Sequence, residues 1–333
     1  MPSLDDYLAR FARLHTDRNR IRWTAETQHR APHKPFLLLA VTDLIANGKL
    51  TANFIQFTPE LRDAFDLYWT RCFGLERPRG NPVLPYFHLR SDGFWHLLPV
   101  PGQEAALAQQ RQLSSIAQLK ALVLGVALDP ALYDLLCTPV SRAELRRVLL
   151  ETYFVPDARS RLMEAAQLVG DTLQYGQRLL GRVHERFALE APAADQQYRV
   201  EARSVAFRRI VVEAYTHACA LCGVRLLTPE GRTAVVAAHI VPWRVTHNDD
   251  PRNGLALCGL HHWTFDEGLV TVDRRYTVKV SPAVSDDEGS HALRQLAEGG
   301  MRLPSDPDLA PAAEALAWHA NHVYRSSATQ RLL

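Results

Sequence analysis

The chain has 333 residues, above the size at which a single hydrophobic core stops growing, so two domains are expected. Its 47% hydrophobic and 22% charged residues match an ordinary globular protein and exclude a disordered one. The 38 basic and 36 acidic side chains nearly cancel to +2, which excludes a polybasic tail but leaves room for a local basic groove.

Only Lys34, Lys49, Lys120 and Lys279 are lysine; the other basic residues are arginine, which grips phosphate in a two-pronged way. A GC-rich genome would give the same skew. The longest uncharged apolar stretch, 121–128, is far short of the about 20 residues a membrane span needs. The start, MPSLDDYLARFARLH, reads as an amphipathic helix and not as a leader, so a cytoplasmic protein is expected. Five cysteines in a reducing compartment do not predict a disulfide framework. Cys72 and Cys137 read as buried apolar thiols, whereas Cys219, Cys222 and Cys258 point to metal chemistry.

In chain order, KPFLLLAVTDLI predicts a buried helix closed by Asn47 and Gly48. PVLPYFHLRSDGFWHLLPV predicts two short strands joined by a turn at Ser91-Asp92-Gly93. SRAELRRVLLETYF predicts a helix capped by Ser141 and ended by Pro156 and Asp157. Residues 157–190 read as one or two amphipathic helices and 191–197 as a polar linker. VAFRRIVVEAY predicts a helix running into Cys219, followed by short strands, turns and one brief helix.

The strongest signal is Cys219-Ala-Leu-Cys222, then Cys258-Gly-Leu-His261: two close ligand pairs, far apart in sequence, as a tetrahedral structural zinc requires. Between and after them stand VVAAHIVPW with His239, DDPRNGLALC with Asn253, and then His262 and Phe265-Asp266. Over about residues 215–272 this order of positions resembles the HNH endonuclease family. The resemblance implies two strands and a helix gripping one divalent metal, with zinc holding the loop ends. It makes His239 the general base, Asn253 the brace of the loop behind it, and His262 a ligand of a catalytic Mg²⁺ or Mn²⁺. Asp266, four residues on and on the same helical face as His262, would complete that metal site. Two departures stand out: His261 replaces the commoner fourth cysteine, and Ala238 stands where many members carry a carboxylate ligand.

The segments QHRAPHKPFLLLAV, NPVLPYFHLRSDGFW and LRRVLLETYF resemble the sulfur-binding domain of type IV, phosphorothioate-dependent HNH restriction enzymes. That implies a shallow pocket in which a polarisable, weakly hydrated sulfur gains from apolar contact while an oxygen would lose hydration. Pro85 supplies the ring, with Leu84, Tyr86 and His88 beside it, and His29 and Arg30 supply wall and charge; Leu84 departs from the tyrosine often found there. As residues alone, Pro85, Tyr86 and Phe87 equally fit a strand start and core aromatics. Arg18, Arg20, Arg22 and Trp23 fit either a solvated face or phosphate contacts, and His33 and Lys34 either a helix cap or DNA contacts.

The expected protein is therefore α+β: a mixed α/β DNA-recognition domain at 1–155, a helical connector at 156–200, and a ββα-metal HNH domain with structural zinc at 201–333. Its expected partner is double-stranded DNA carrying phosphorothioate; no membrane is involved, and a homodimer is allowed. The alternatives are an HNH nuclease whose first domain reads a methylated base or a second messenger, and a non-catalytic zinc DNA-binding protein.

Overall fold

The computed structural model describes residues 2–192, 195, 197–285 and 287–327. The chain divides into two compact units, one comprising the chain to Leu173 with Pro229–Gly231, the other Gln174–Thr228 and the chain from Arg232. Each has its own apolar core. The architecture is α+β.

The first unit is mainly helical. α1 (Leu4–Ala12) starts at a Ser3 capping box closed by Asp6. α2 (His33–Ala46) is apolar all round, which only a central position tolerates, and α3 (Pro59–Phe73), α7 (Pro130–Cys137) and α8 (Pro139–Tyr153) pack on it. It ends as expected at Asn47, with Gly48 at φ +66°. Between α3 and α7 come α4 (Val83–His88), β1 (Trp95–Pro99), α5 (Glu104–Gln109), α6 (Ile116–Leu122) and β2 (Val123–Leu128). β1 and β2 form an antiparallel ribbon in which Trp95 faces Leu128 and Leu97 faces Val126.

Three local expectations are corrected. The first strand expected in PVLPYFHL is helix α4, because Pro82 pre-sets a helical turn and Val83, Tyr86 and Phe87 all reach the core, a spacing no strand allows. Ser141 lies inside α8, which begins after Thr138 with Pro139 in its first turn. Pro156 does not merely end that helix: after Phe154 it opens α9 (Pro156–Arg182), one unbroken 27-residue helix.

The second unit takes the last turns of α9 and then α10 (Val200–Ala214), β3 (Val235–His239), α11 (Trp243–Thr246), β4 (Gly254–Cys258), α12 (Gly259–Asp266), β5 (Val270–Val272), β6 (Val278–Val280), α13 (His291–Arg294) and α14 (Ala313–His322). More than one helix thus follows Cys219, and α14 packs on β5 through buried Ala315, Leu316 and His319. Of the linker expected at 191–197, Ala193, Ala194 and Gln196 lie outside the described residues. Asp195 is not a solvated linker residue: its side chain is wholly buried, bonded to Arg178 at 2.6 Å and Arg182 at 2.5 Å. Cys72 is buried, and burial pushes its thiol up to about 12; Cys137, at the C-terminal end of α7, is exposed rather than buried. No described helix is long and apolar enough to cross a membrane.

Candidate active site and DNA-reading pocket

Within the second unit β3 and β4 pair antiparallel, with Val235 opposite Cys258 and His239 opposite Gly254, and α12 follows β4 directly and packs on both strands. Gly254 is required by close approach: a Cβ there would lie 2.5 Å from Val211 and 3.0 Å from Phe207 of α10. Phe207 in turn stacks on the His239 ring, centroids 4.0 Å apart and planes within 7°. Asn253 is fully buried. Its Oδ1 accepts from the Val241 amide at 2.9 Å, and its Nδ2 donates to the carbonyls of Val241 (3.1 Å) and Asn248 (3.0 Å). One amide side chain thus ties both ends of the loop between the strands.

His239 Nε2 lies 2.9 Å from Asp249 Oδ1. Asp249 is 2% exposed, and its Oδ2 accepts from Arg203 Nε and Tyr175 Oη, both at 3.0 Å. Burial pushes this carboxyl up, but the bonds and charges of His239 and Arg203 outweigh it and hold Asp249 below the ordinary carboxylate range. On α12, His262 Nε2 and Asp266 Oδ2 stand 3.4 Å apart on one partly exposed face.

The Cys219, Cys222 and Cys258 sulfurs and a His261 ring nitrogen lie within 4.8 Å of one another. Ligands at about 2.3 Å around a tetrahedral ion are about 3.8 Å apart, so this soft donor set fits zinc. The turn that presents the first pair depends on Gly223 at φ +72°, whose amide donates to the Cys219 carbonyl. Burial pushes Cys219 up, but the hydrogen bonds from His261 and from backbone amides bring it down to about 6, toward the ligating thiolate.

In the first unit α4 contributes Leu84, Pro85 and His88 to a concavity of about 400 Å³ whose further walls include Trp23, Ala31, His33 and Thr16. Burial and the neighbouring Arg22 and Arg77 push His33 down to about 4, and burial with Lys34 nearby lowers His88. Lys34 is neutralised by Asp92 at 2.6 Å. Apolar side chains thus share the lining with the paired Lys34 and with Asp17 and Arg22, and Thr16 Oγ1 is buried there with no hydrogen-bond partner among the described residues. An adjoining concavity is lined by Arg13, Arg18 and Arg30.

Residues 219–273 match the family model of the HNH endonuclease, and residues 11–171 match that of the ScoMcrA-like DNA sulfur-binding domain. The chain thus carries an HNH endonuclease domain and a DNA sulfur-binding domain. No curated protein matches the chain. A solved structure described as "Modification dependent TagI restriction endonuclease" is similar over 37% of this chain and 39% of its own, at 22% identity and a TM-score of 0.30. The chain therefore spans about two fifths of the length of that structure's chain.

The structure brings the residues expected of the endonuclease site onto one ββα unit: His239 at the end of β3, Asn253 just before β4, and His262 and Asp266 on α12. Ala238 is 1% exposed and points into the core, so a carboxylate there would be buried among apolar side chains. The pocket residues divide. Leu84, Pro85 and His88 line the concavity, but Tyr86 does not. It is 1% exposed and donates to the Ile55 carbonyl at 2.6 Å, because α4 turns Val83, Tyr86 and Phe87 inward together. His29, at φ +56°, bonds the Trp23 carbonyl through Nδ1, and Arg30, whose guanidinium lies over the Tyr153 ring at 5.5 Å, lines the adjoining concavity. Trp23 is no solvated residue but a buried wall, its Nε1 donating to Asp17 at 2.9 Å; Arg18, Arg20 and Arg22 are exposed. His33 and Lys34 open α2 and face the pocket.

Sequence reasoning missed Asp249, Arg203, Tyr175 and Thr16. The doublet Asp249-Asp250 four residues before Asn253 was the available signal for the first; the others are brought in by α9, α10 and a loop remote in sequence.

Proposed function

We propose that the protein restricts DNA bearing phosphorothioate linkages, as a type IV enzyme: the first unit seats the modified linkage and the HNH site hydrolyses phosphodiester bonds with one divalent metal. The observation that carries the specificity is the Pro85 concavity. Its walls include a proline ring, Leu84, Ala31 and the Trp23 ring, two of its histidines, His33 and His88, are held toward the neutral form, and Lys34 is paired with Asp92. A phosphate oxygen would exchange its hydration for apolar contact there at a loss, whereas sulfur gains dispersion contacts. The Thr16 hydroxyl is available to the linkage, and Arg13, Arg18 and Arg30 to neighbouring phosphates.

In the nuclease, His239 takes a proton from the attacking water as its oxygen bonds phosphorus. The ester oxygen leaves with the electron pair of the broken P–O bond and is protonated from solvent. Asn253 keeps the loop behind His239 closed. His262 and Asp266, an imidazole and a carboxylate on one open face, form a donor set suited to Mg²⁺ or Mn²⁺, which when bound stabilises charge on the phosphate and the leaving oxygen. Cys219, Cys222, Cys258 and His261 would hold Zn²⁺, which would tie the turn before β3 to the junction of β4 and α12.

The test is cleavage of matched duplexes with and without phosphorothioate, with Mg²⁺ or Mn²⁺ supplied. Cutting only of the modified duplex is expected. Equal cutting of both refutes the sulfur reading, and no cutting of either across a range of flanking sequences refutes the whole proposal.

A further inference from the structure

We propose that Asp249 is a positioning residue that fixes the tautomer of His239, placing the ring proton on Nε2 so that Nδ1 is the atom that accepts the proton from water. The inference rests on the reading of His239 as general base, and goes beyond it by naming the reacting nitrogen and the group that selects it.

The geometry leaves little choice. Asp249 Oδ1 faces His239 Nε2 at 2.9 Å, and Oδ2 is taken by Arg203 and Tyr175. Arg203 can only donate: its Nε goes to Asp249 and its Nη2 to the His247 carbonyl at 2.9 Å. A carboxylate beside a buried guanidinium is an acceptor on both oxygens, so a lone pair on Nε2 would face a lone pair on Oδ1. The favourable arrangement is Nε2–H donating to Oδ1, which leaves the lone pair on Nδ1. The stacked Phe207 ring fixes the imidazole plane, and the hydrogen bond fixes its rotation within that plane. The ring still exposes 23% of its surface, enough for water to reach it. When Nδ1 takes the proton, the imidazolium that forms is already bonded to a carboxylate.

Asp249→Asn and Asp249→Ala separate this role from a merely structural one. In Asp249→Asn the single remaining oxygen must turn to Arg203, which has no acceptor. The amide NH₂ then faces His239 Nε2, donates to it, and drives the ring proton onto Nδ1. Asp249→Ala leaves the ring free to choose. The Asn variant, closer in shape, should therefore be the slower enzyme: a fall in kcat of about 10³-fold or more, the scale of an imposed wrong tautomer, with DNA affinity unchanged. The Ala variant should fall less.

Nitrogen–proton correlation spectra of the full-length protein labelled with ¹⁵N-histidine, with His239→Ala used to assign the signal, report the tautomer without reference to activity. The expected result is Nε2–H in the wild type and Nδ1–H in Asp249→Asn. Nδ1–H in the wild type, or an Asn variant at least as fast as the Ala variant, overturns the proposal. The spectra of the wild type and the Asn variant decide the matter where Asp249→Ala fails to fold. If His239→Ala still cuts at the wild-type rate, the general-base reading fails instead, an outcome distinct from a wrong tautomer.

Discussion

Asn253→Ala is expected to loosen the nuclease unit and its active loop together. The side chain is fully buried and satisfies the Val241 amide and the carbonyls of Val241 and Asn248, all out of reach of solvent. Alanine leaves these groups unpaired in a space too small for a replacement network. Each orphaned buried group costs about 1–3 kcal/mol, and carbonyls, with two lone pairs, lie at the low end. A total of roughly 3–4 kcal/mol follows, a large share of the stability of a unit this size. At about 2–4 °C per kcal/mol for 150–250 residues, the melting midpoint should fall by roughly 6–16 °C. Urea denaturation read by tryptophan fluorescence, run beside a zinc-release assay, measures this directly. Because the same loop carries Asp249, cleavage should fall further than the folded fraction does at 25 °C. A loss of stability below about 1 kcal/mol, or cleavage that merely tracks the folded fraction, would refute the argument that Asn253 braces the loop.

Three further outcomes are expected. Pro85→Ser should lower the ratio of affinities for modified over unmodified duplex by about fivefold, the worth of roughly 1 kcal/mol of apolar contact, in paired titrations; an unchanged ratio refutes the pocket. Cys222→Ser should release zinc and destabilise the second unit, since a structural ion contributes folding free energy directly; active protein with no zinc by elemental analysis contradicts this. His33 and His319, in separate units, are both pushed by burial from the ordinary 6.5 down to about 4. Between those values the unfolded chain binds more protons than the folded one, so stability is full above pH 6.5 and falls as pH drops toward 4, by on the order of 2 kcal/mol per histidine at pH 5. Denaturation midpoints of the wild type and of His319→Gln at pH 7 and 5 measure the share of the second unit.

What the sequence determined by itself was whatever depends on residue types at short, fixed spacing. The two ligand pairs around Cys219 and Cys258, the order of His239, Asn253 and His262, and the (i, i+4) pairing of His262 with Asp266 need only a turn, a hairpin and one helix to come together. The apolar run of α2 announced a buried helix for the same local reason. Tertiary structure decided the rest. PVLPYFHL has the composition of a strand and a helix alike, and only packing on α2, with Pro85 toward the concavity and Tyr86 bonded to Ile55, selects the helix. The partner of His239 was equally hidden. Asp249 is an unremarkable acid until α9 and α10 bring Tyr175 and Arg203 against it, from 74 and 46 residues away in the chain. The doublet Asp249-Asp250 marks the position but not the role, because a buried carboxylate gets its charge state and its orientation from donors that only the folded chain assembles.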